Sequence, residues 1–165
     1  MRKNWYAVAT SPCTGVFDGN LPGIQEPIDP KTKYEQVIES HLPDSTRLIL
    51  TIEGADTLAG SVNIRIRTVA TDSIIGGNPR LFAMIIQDSM KYGMTGDSLF
   101  SSVCRRIIPP DTIGMPFAHT APNDTFDTTL TVTNLWHTTR LGVLTFVQDI
   151  SNKRVIQAVM KRHFY

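Results

Sequence analysis

The residues of this chain that could carry chemistry are scattered along it. Cys13 and Cys104 form neither a Cys-x-x-Cys motif nor a zinc-type spacing. A structural zinc site needs four Cys or His ligands in short paired spacings, and the four histidines are dispersed as well: His41, His119, His137 and His163. We therefore expect no metal site built from Cys and His. The spacing leaves open whether the two cysteines meet in a disulfide, and buried free thiols are the favoured interpretation.

Hydroxyl and carboxylate groups give no complete catalytic motif either. Ser101 or Ser102 with His119 or His137 would suggest a hydrolase, but no Gly-x-Ser-x-Gly elbow is present. Six aspartates lie at strand ends or in loops: Asp88, Asp97, Asp111, Asp124, Asp127 and Asp149. They could bind calcium, which takes six to eight oxygen ligands, but without an Asp-x-Asp-x-Asp-Gly loop we interpret them as turn residues. No cofactor is expected.

Two of these aspartates stand in matching contexts. Asp88 and Asp149 each follow a glutamine at the end of an apolar run, which predicts turn-capping residues in equivalent places. Arg65 and Arg67 could form a ligand patch, but their alternation with apolar residues favours an ordinary solvated sheet face.

Composition excludes several classes of function. The 165 residues are 41% hydrophobic and 19% charged, which is typical of a folded domain. The net charge of +1 provides no basic field for a nucleic acid. No run approaches the roughly 18 apolar residues of a membrane span, and the N-terminus has no apolar stretch of signal-peptide length. Either the protein stays inside the cell or the chain lacks its true start.

One helix is predicted near the front of the chain. Asp29 is a suitable N-cap, Pro30 suits the first helical position, and Pro43 ends the pattern. The spacing predicts an amphipathic helix over roughly 30–42 whose apolar face needs a cover within the chain or from a partner. That packing or partner face consists of Tyr34, Val37, Ile38 and Leu42.

After Pro43 the apolar period changes to two, which predicts strands. Runs at 46–53, 61–69, 80–88 and 126–135 precede a hairpin over 141–160 whose two apolar strands flank a polar turn. Six main strands without an intervening helix predict a mainly β, two-layer antiparallel sandwich, immunoglobulin-like or jelly-roll-like. Both hairpin strands are apolar on successive residues, so each should cover a core with one face and another layer with the other. Residues 89–123 are either a surface excursion with short elements or a functional loop.

Two parts of the chain resemble one family. Residues 2–19 resemble the thioredoxin-like loop in which a cis-proline precedes a strand. Val103-Cys104-Arg105-Arg106, Phe146-Val147-Gln148-Asp149 and Arg154-Val155-Ile156-Gln157-Ala158 are similar to secreted bacterial outer-membrane-associated proteins in which a β-sandwich follows a thioredoxin-like domain. By this resemblance 1–43 is a partial thioredoxin-like segment with the terminal helix, and 44–165 is the sandwich. Ser11, Pro12 and Cys13 would form the cis-proline loop, with an ordinary trans-proline turn as the alternative.

The resemblance implies a secreted or surface location and a binding role. A working thioredoxin needs a Cys-x-x-Cys at a helix N-terminus, and this chain has none. We therefore expect a non-catalytic module for binding, adhesion or assembly, with a protein partner or a second copy. The alternatives are a thiol–disulfide oxidoreductase whose paired cysteines lie upstream, and a viral or phage structural protein.

Overall fold

Two antiparallel sheets pack face to face in the computed structural model. It describes residues 35–36, 39, 46–58, 60–73, 77–91, 99–100, 102–110, 113–117, 119, 121–133 and 140–162. The strands are β1 (Leu48–Leu58), β2 (Ser61–Ala70), β3 (Pro79–Gln87), β4 (Met90–Lys91), β5 (Leu99–Phe100), β6 (Val103–Ile108), β7 (Met115–Pro116), β8 (Thr125–Thr133), β9 (Leu141–Asp149) and β10 (Val155–Lys161). The predicted mainly β sandwich is confirmed.

The first sheet has three strands in the order β1-β2-β8. In β2 alternate residues are buried, from Val62 through Ile64 and Ile66 to Thr68, while Arg65 and Arg67 are exposed. The period of two in the sequence therefore separates the core face from the solvent face, as predicted. A bulge in β1 between Ile52 and Gly54 interrupts the register with β2.

The second sheet has the order β10-β9-β3-β6, with β7 paired to one end of β3. Its strand β6 comes from the region 89–123, which therefore contains short elements of its own. The sequence pattern did not predict β6 because the register with β3 shifts between Ile85 and Ile86, and such a bulge breaks the two-residue period. The predicted hairpin over 141–160 is confirmed as the β9–β10 pair.

The main core lies between the sheets. Leu48, Ile64 and Ile66 of the first sheet pack with Leu81, Ile85 and Val143 of the second. β1 and β10 lie side by side, so the sandwich is joined along one edge: Gln157 Nε2 donates to the Leu48 carbonyl at 3.4 Å. β3 and β9 have buried residues on both faces. The predicted burial of both faces in the hairpin is therefore confirmed for β9, but it is wrong for β10, where Ala158 and Met160 are exposed.

The predicted front segment is described at three positions. Glu35, Gln36 and Glu39 are helical and exposed. The rest of the segment 1–43, including its boundary with the sandwich, lies outside the described residues. Across the described parts of the chain, no helix is long and apolar enough to cross a membrane.

Candidate functional site

The turn after β9 is held by the carboxylate of Asp149. Its Oδ1 accepts the backbone N–H of Asn78 at 2.9 Å, the N–H of Ser151 at 2.9 Å and the Ser151 hydroxyl at 2.6 Å. These donors belong to two different connections, β2–β3 and β9–β10, so one side chain ties both at one end of the five-stranded sheet. The predicted turn-capping role of Asp149 is confirmed.

The charged form of Asp149 is favoured by these donors. Burial by itself would raise the pKa of Asp149, but hydrogen bonds from the Ser151 hydroxyl, the Asn78 and Ser151 amides and the Asn152 side chain outweigh it. The pKa of Asp149 is therefore lowered, because each donor stabilises the carboxylate and not the neutral acid. A group with a lowered pKa stays ionised and is a structural anion, not a proton donor.

The opposite end of the same strand pair carries Asp88. Its Oδ1 accepts the Ser102 N–H at 2.6 Å, and its Oδ2 forms an ion pair with Arg162 Nη1 at 3.3 Å. Arg162 Nη2 also donates to the Ser102 hydroxyl at 3.5 Å. Both partners are distant in sequence, so Asp88 holds the start of β6 and the residue after β10. The prediction that it caps a turn in a place equivalent to Asp149 is wrong, because the two aspartates lie at opposite ends of the antiparallel β3–β9 pair.

His119 is a buried residue of the sandwich with 4% of its surface exposed. Its Nε2 lies 2.8 Å from Thr68 Oγ1, and that hydroxyl also donates to the Phe126 carbonyl at 3.1 Å. With the hydroxyl proton engaged, Nε2–H of His119 is the donor and Nδ1 is a bare acceptor. Within the described residues Nδ1 has no partner.

Burial lowers the pKa of His119, and the opposing effect of Asp124 is smaller. The ring also packs edge-on against Phe117, with centroids 4.5 Å apart. The imidazole is therefore neutral and serves packing. Ser102 has its contacts at the Asp88 end, so the structure does not unite His119 and Ser102 in a hydrolytic pair. Ser101 and His137 lie outside the described residues.

Cys104 is exposed, and its Sγ lies 3.9 Å from the Arg106 carbonyl oxygen. The prediction of a buried thiol is wrong for this residue because β6 is the edge strand of its sheet. Within the described ranges, no three His, Cys, Asp or Glu side chains lie close enough together to hold a metal ion.

The exposed face of the first sheet is polar. Arg67 pairs with Glu53 at 3.6 Å and with Asp127 at 3.9 Å, and both contacts are well exposed to solvent. Thr131 donates to Asn63 Oδ1 across the strands at 2.8 Å. The predicted interpretation of Arg65 and Arg67 as part of a solvated face is confirmed.

The edge of this sheet is a candidate binding site. Among the described residues β8 pairs with β2 alone, so its other side presents backbone groups. The Ala70 N–H donates to the Asp124 carbonyl at 2.9 Å, which identifies a hydrogen-bonded pair position. Such positions alternate in an antiparallel ladder. Asp127, Thr129 and Thr131 therefore direct their N–H and C=O groups away from β2.

One contact at this edge supports that assignment. The guanidinium of Arg106, on β6, donates to the Thr133 carbonyl at 2.6 Å. Thr133 has the same parity as Thr129 and Thr131, so its carbonyl points outward as well. In the middle of β8, backbone donors and acceptors thus face away from β2 without a partner strand among the described residues, beside exposed threonines.

Sequence reasoning did not identify this edge, because alternation predicts which side chains are buried but not which strands end a sheet. A signal was present: residues 125–133 read Thr-Phe-Asp-Thr-Thr-Leu-Thr-Val-Thr, with polar residues at every outward position. The predicted cis-proline loop (Ser11, Pro12, Cys13) and the predicted helix face (Tyr34, Val37, Ile38, Leu42) lie outside the described residues. The cis peptide bond in the described part is Ile108–Pro109.

No protein-family model matches the chain, and no curated protein matches it in sequence. HBP35 of Porphyromonas gingivalis has a similar structure, with a TM-score of 0.63 and 15% identity, over 77% of this chain and 44% of that one. A domain of the outer membrane lipoprotein Omp28 from Porphyromonas gingivalis gives a TM-score of 0.44 at 12% identity, covering 70% of this chain and 93% of that domain. Beta-glucosidase from Kluyveromyces marxianus gives 0.39 at 10% identity, covering 73% and 14%.

The likeness to HBP35 is one of fold, because 15% identity is too low to transfer a function. This chain spans less than half of HBP35. The other two structures score below 0.5, too low to indicate a shared fold.

Proposed function

We propose that this chain is a non-catalytic β-sandwich module of a bacterial cell-surface or secreted protein, and that it binds a protein partner or a second copy through the β8 edge. The sandwich would begin near residue 44, after a partial thioredoxin-like segment. The location rests on the sequence resemblance to secreted outer-membrane-associated proteins, supported by the fold shared with HBP35.

The roles of the described polar residues support a non-catalytic module. Asp149 caps a turn, Asp88 holds Ser102 and Arg162, and His119 is neutral and packed against Phe117. Each is engaged in holding the sandwich, so none is poised as a nucleophile or a general base.

The observation that carries a binding role is the backbone of β8. A strand with one unpaired side is a template for an added strand, because main-chain hydrogen bonds supply affinity and alternate side chains supply selectivity. β8 has nine residues, long enough for several such bonds. Its exposed side chains, on the solvent face of the sheet, are Thr125, Asp127, Thr129, Thr131 and Thr133. An added strand would therefore lie beside hydroxyl groups and one carboxylate.

The test removes one outward N–H. Thr129→Pro deletes a donor that faces away from β2, and proline is tolerated at such an edge position. Thr129→Ala is the matched control because it keeps the N–H. Sedimentation velocity on the full chain measures self-association, and retention on outer-membrane vesicles from a Gram-negative bacterium measures partner binding. We expect Thr129→Pro to weaken association at least about tenfold, which is the worth of one net hydrogen bond.

A second variant guards against a folding defect. Thr129→Lys keeps the backbone but places a charge on the edge, a common device against strand addition. Both Thr129→Pro and Thr129→Lys should reduce association while leaving the circular dichroism spectrum intact. A wild-type chain that stays strictly monomeric and does not bind the vesicles would refute the proposal. Equal association of all three variants would refute the β8 edge as the site.

A further inference from the structure

The two sheets of the sandwich differ in width by one strand position. They meet along the β1–β10 edge, and from there the first sheet runs β1-β2-β8 while the second runs β10-β9-β3 and then β6. Because β9 pairs with β3 along its whole length, β7 lies on the same side of β3 as β6 and fills the rest of the fourth position. Among the described residues, the first sheet ends at its third strand, β8.

Side chains of this fourth position reach across to β8. Arg106 of β6 donates to the Thr133 carbonyl at 2.6 Å, and Thr128 Oγ1 donates to Met115 Sδ of β7 at 3.7 Å. No backbone ladder joins β8 to β6 or β7 in the part of the chain that the structure describes. We call the inner side of β6 and β7 beside β8 (Arg106, Ile108 and Met115) the floor.

A strand placed beside β8 and above the floor would have two different faces. Toward the floor it would meet Ile108, Met115 and Phe126, which are half-buried and pack against the main core. On the solvent face it would lie beside the exposed threonines and Asp127 of β8. Because side chains alternate along a strand, such a segment needs apolar residues at every second position.

We infer that the partner of the β8 edge is a single extended peptide segment with apolar residues at alternate positions, which completes the first sheet as its fourth strand. This inference rests on the proposed function and names the partner that the edge takes. A folded second copy, paired edge to edge about a two-fold axis, would bring its own wider second sheet into the space of the floor. A lone strand needs only the usual spacing of about 4.8 Å.

Arg106 sets one end of this position. Its guanidinium crosses from the floor to the Thr133 carbonyl, so that carbonyl is already engaged. The remaining outward N–H and C=O groups belong to alternate residues from Thr125 to Thr131. The partner segment therefore pairs over about seven residues, opposite 125–131.

Fluorescence anisotropy on the full chain tests this inference with a labelled peptide. The probe is Lys-Val-Thr-Val-Thr-Val-Thr-Val-Lys, and the control has the same composition with consecutive valines, Lys-Thr-Thr-Thr-Val-Val-Val-Val-Lys. We expect saturable binding of the probe and at least about tenfold weaker binding of the control, because two of its four valines face away from the floor. Absence of probe binding up to about 1 mM would overturn the inference.

N-methylation of the probe tests whether its backbone pairs with β8. Successive residues of a strand direct their N–H groups to opposite edges. Methylation at the three threonines blocks one edge of the peptide, and methylation at the four valines blocks the other. One set should weaken binding at least about tenfold, and the other should leave it nearly unchanged. Equal effects of the two sets would overturn the inference.

Met115→Ala tests the floor. This change removes a half-buried side chain below the added strand and should weaken binding of the probe severalfold. Ile113→Ala is the matched control, because Ile113 lies close by in the same connection and is 57% exposed. Unchanged affinity in Met115→Ala, with an intact circular dichroism spectrum, would overturn the inference.

Amide hydrogen exchange shows whether the edge is open before the probe binds. The Thr129 N–H should exchange quickly in the chain alone and slowly with the probe, while the Leu130 N–H, which faces β2, stays slow in both. Slow exchange at Thr129 in the monomeric chain alone would mean that the chain itself covers the edge and would overturn the inference. If Thr129→Pro weakens association but the probe does not bind, the proposed function stands and only the single-strand partner is refuted.

Discussion

The two ends of the β3–β9 pair use the same dipeptide for different purposes. At one end Gln148-Asp149 precedes a tight turn, and the Asp149 carboxylate takes its donors from that turn and from Asn78. At the other end Gln87-Asp88 precedes a long excursion, and the Asp88 carboxylate takes its donors from Ser102 and Arg162, which are distant in sequence. An identical sequence signal gives a local closure at one end and a long-range contact at the other.

The difference follows from what comes next in the chain. After Asp149 the chain returns within a few residues, so its own turn supplies the hydrogen-bond donors. After Asp88 the chain leaves the sheet and first comes back at β6, so the carboxylate joins β3 to the start of β6 and the end of β10. We call the Asp149 end the closed end and the Asp88 end the open end. Changes at the closed end should lower the free energy of unfolding most, and changes at the open end should have small effects that depend on salt concentration.

The largest expected effect is at Gly77, next to Asp149. Gly77 has a φ of +79°, and an added Cβ would fall on the Asp149 carboxylate. Gly77→Ala should therefore destabilise the protein by about 2–4 kcal/mol, from backbone strain plus displacement of the carboxylate. Urea unfolding measures the loss.

Gly60→Ala is the matched control for this prediction. Gly60 has a φ of +75° but nothing within 4 Å of an added Cβ, so the control reports strain alone and should cost about 1 kcal/mol. If Gly77→Ala and Gly60→Ala lower the free energy of unfolding by the same amount, the contact with the Asp149 carboxylate adds nothing to backbone strain and the prediction is wrong.

Asp149→Asn should give the next largest effect. An amide offers one acceptor oxygen in place of a carboxylate and turns an NH₂ group toward existing donors, which costs about 1.5–3 kcal/mol near neutral pH. Because the pKa of Asp149 is below its usual 3.8 in the folded protein, the unfolded chain binds more protons in this range. The contribution of Asp149 is therefore fully present above pH 3.8 and is lost as the pH falls through the lowered folded value.

Stability measured from pH 7 to pH 2 checks this prediction. The wild type should lose stability through the acid range, and Asp149→Asn should have a flatter acid limb. A variant with the same acid slope as the wild type would contradict the assignment of Asp149 as the buried anion of this end.

The smallest effect is expected at the open end. Arg162→Ala removes an ion pair whose arginine side chain is 53% exposed, so it should cost less than about 1 kcal/mol. Because exposed pairs are screened by salt, the difference from wild type should shrink between 0.05 and 0.5 M NaCl. Urea unfolding at the two salt concentrations measures the difference in free energy of unfolding. A loss above about 2 kcal/mol that does not depend on salt would show that the Asp88 end contributes to stability as strongly as the Asp149 end.

The sequence predicts the sandwich well because burial has a simple period in most strands. In β2 the alternation from Val62 to Arg67 matches the observed faces residue by residue. In β6 the bulge beside Ile85 and Ile86 disrupts that period, and the strand was not predicted. The Gln-Asp pattern correctly predicted the turn cap at Asp149 but not the role of Asp88, since Ser102 and Arg162 meet Asp88 only through the sheet order. The same limit applies to the β8 edge.

The burial of β3 on both faces has a consequence for synthesis. The run Leu81-Phe82-Ala83-Met84-Ile85-Ile86 pairs with β9, whose last residue follows the end of β3 by roughly 60 positions. At about 5–20 residues per second a ribosome needs roughly 3–12 s to supply that partner. During this interval an uncharged, strongly apolar hexapeptide without proline is exposed, which is the composition of aggregation-prone segments. We expect this run to be the part of the nascent chain that a chaperone holds until β9 emerges.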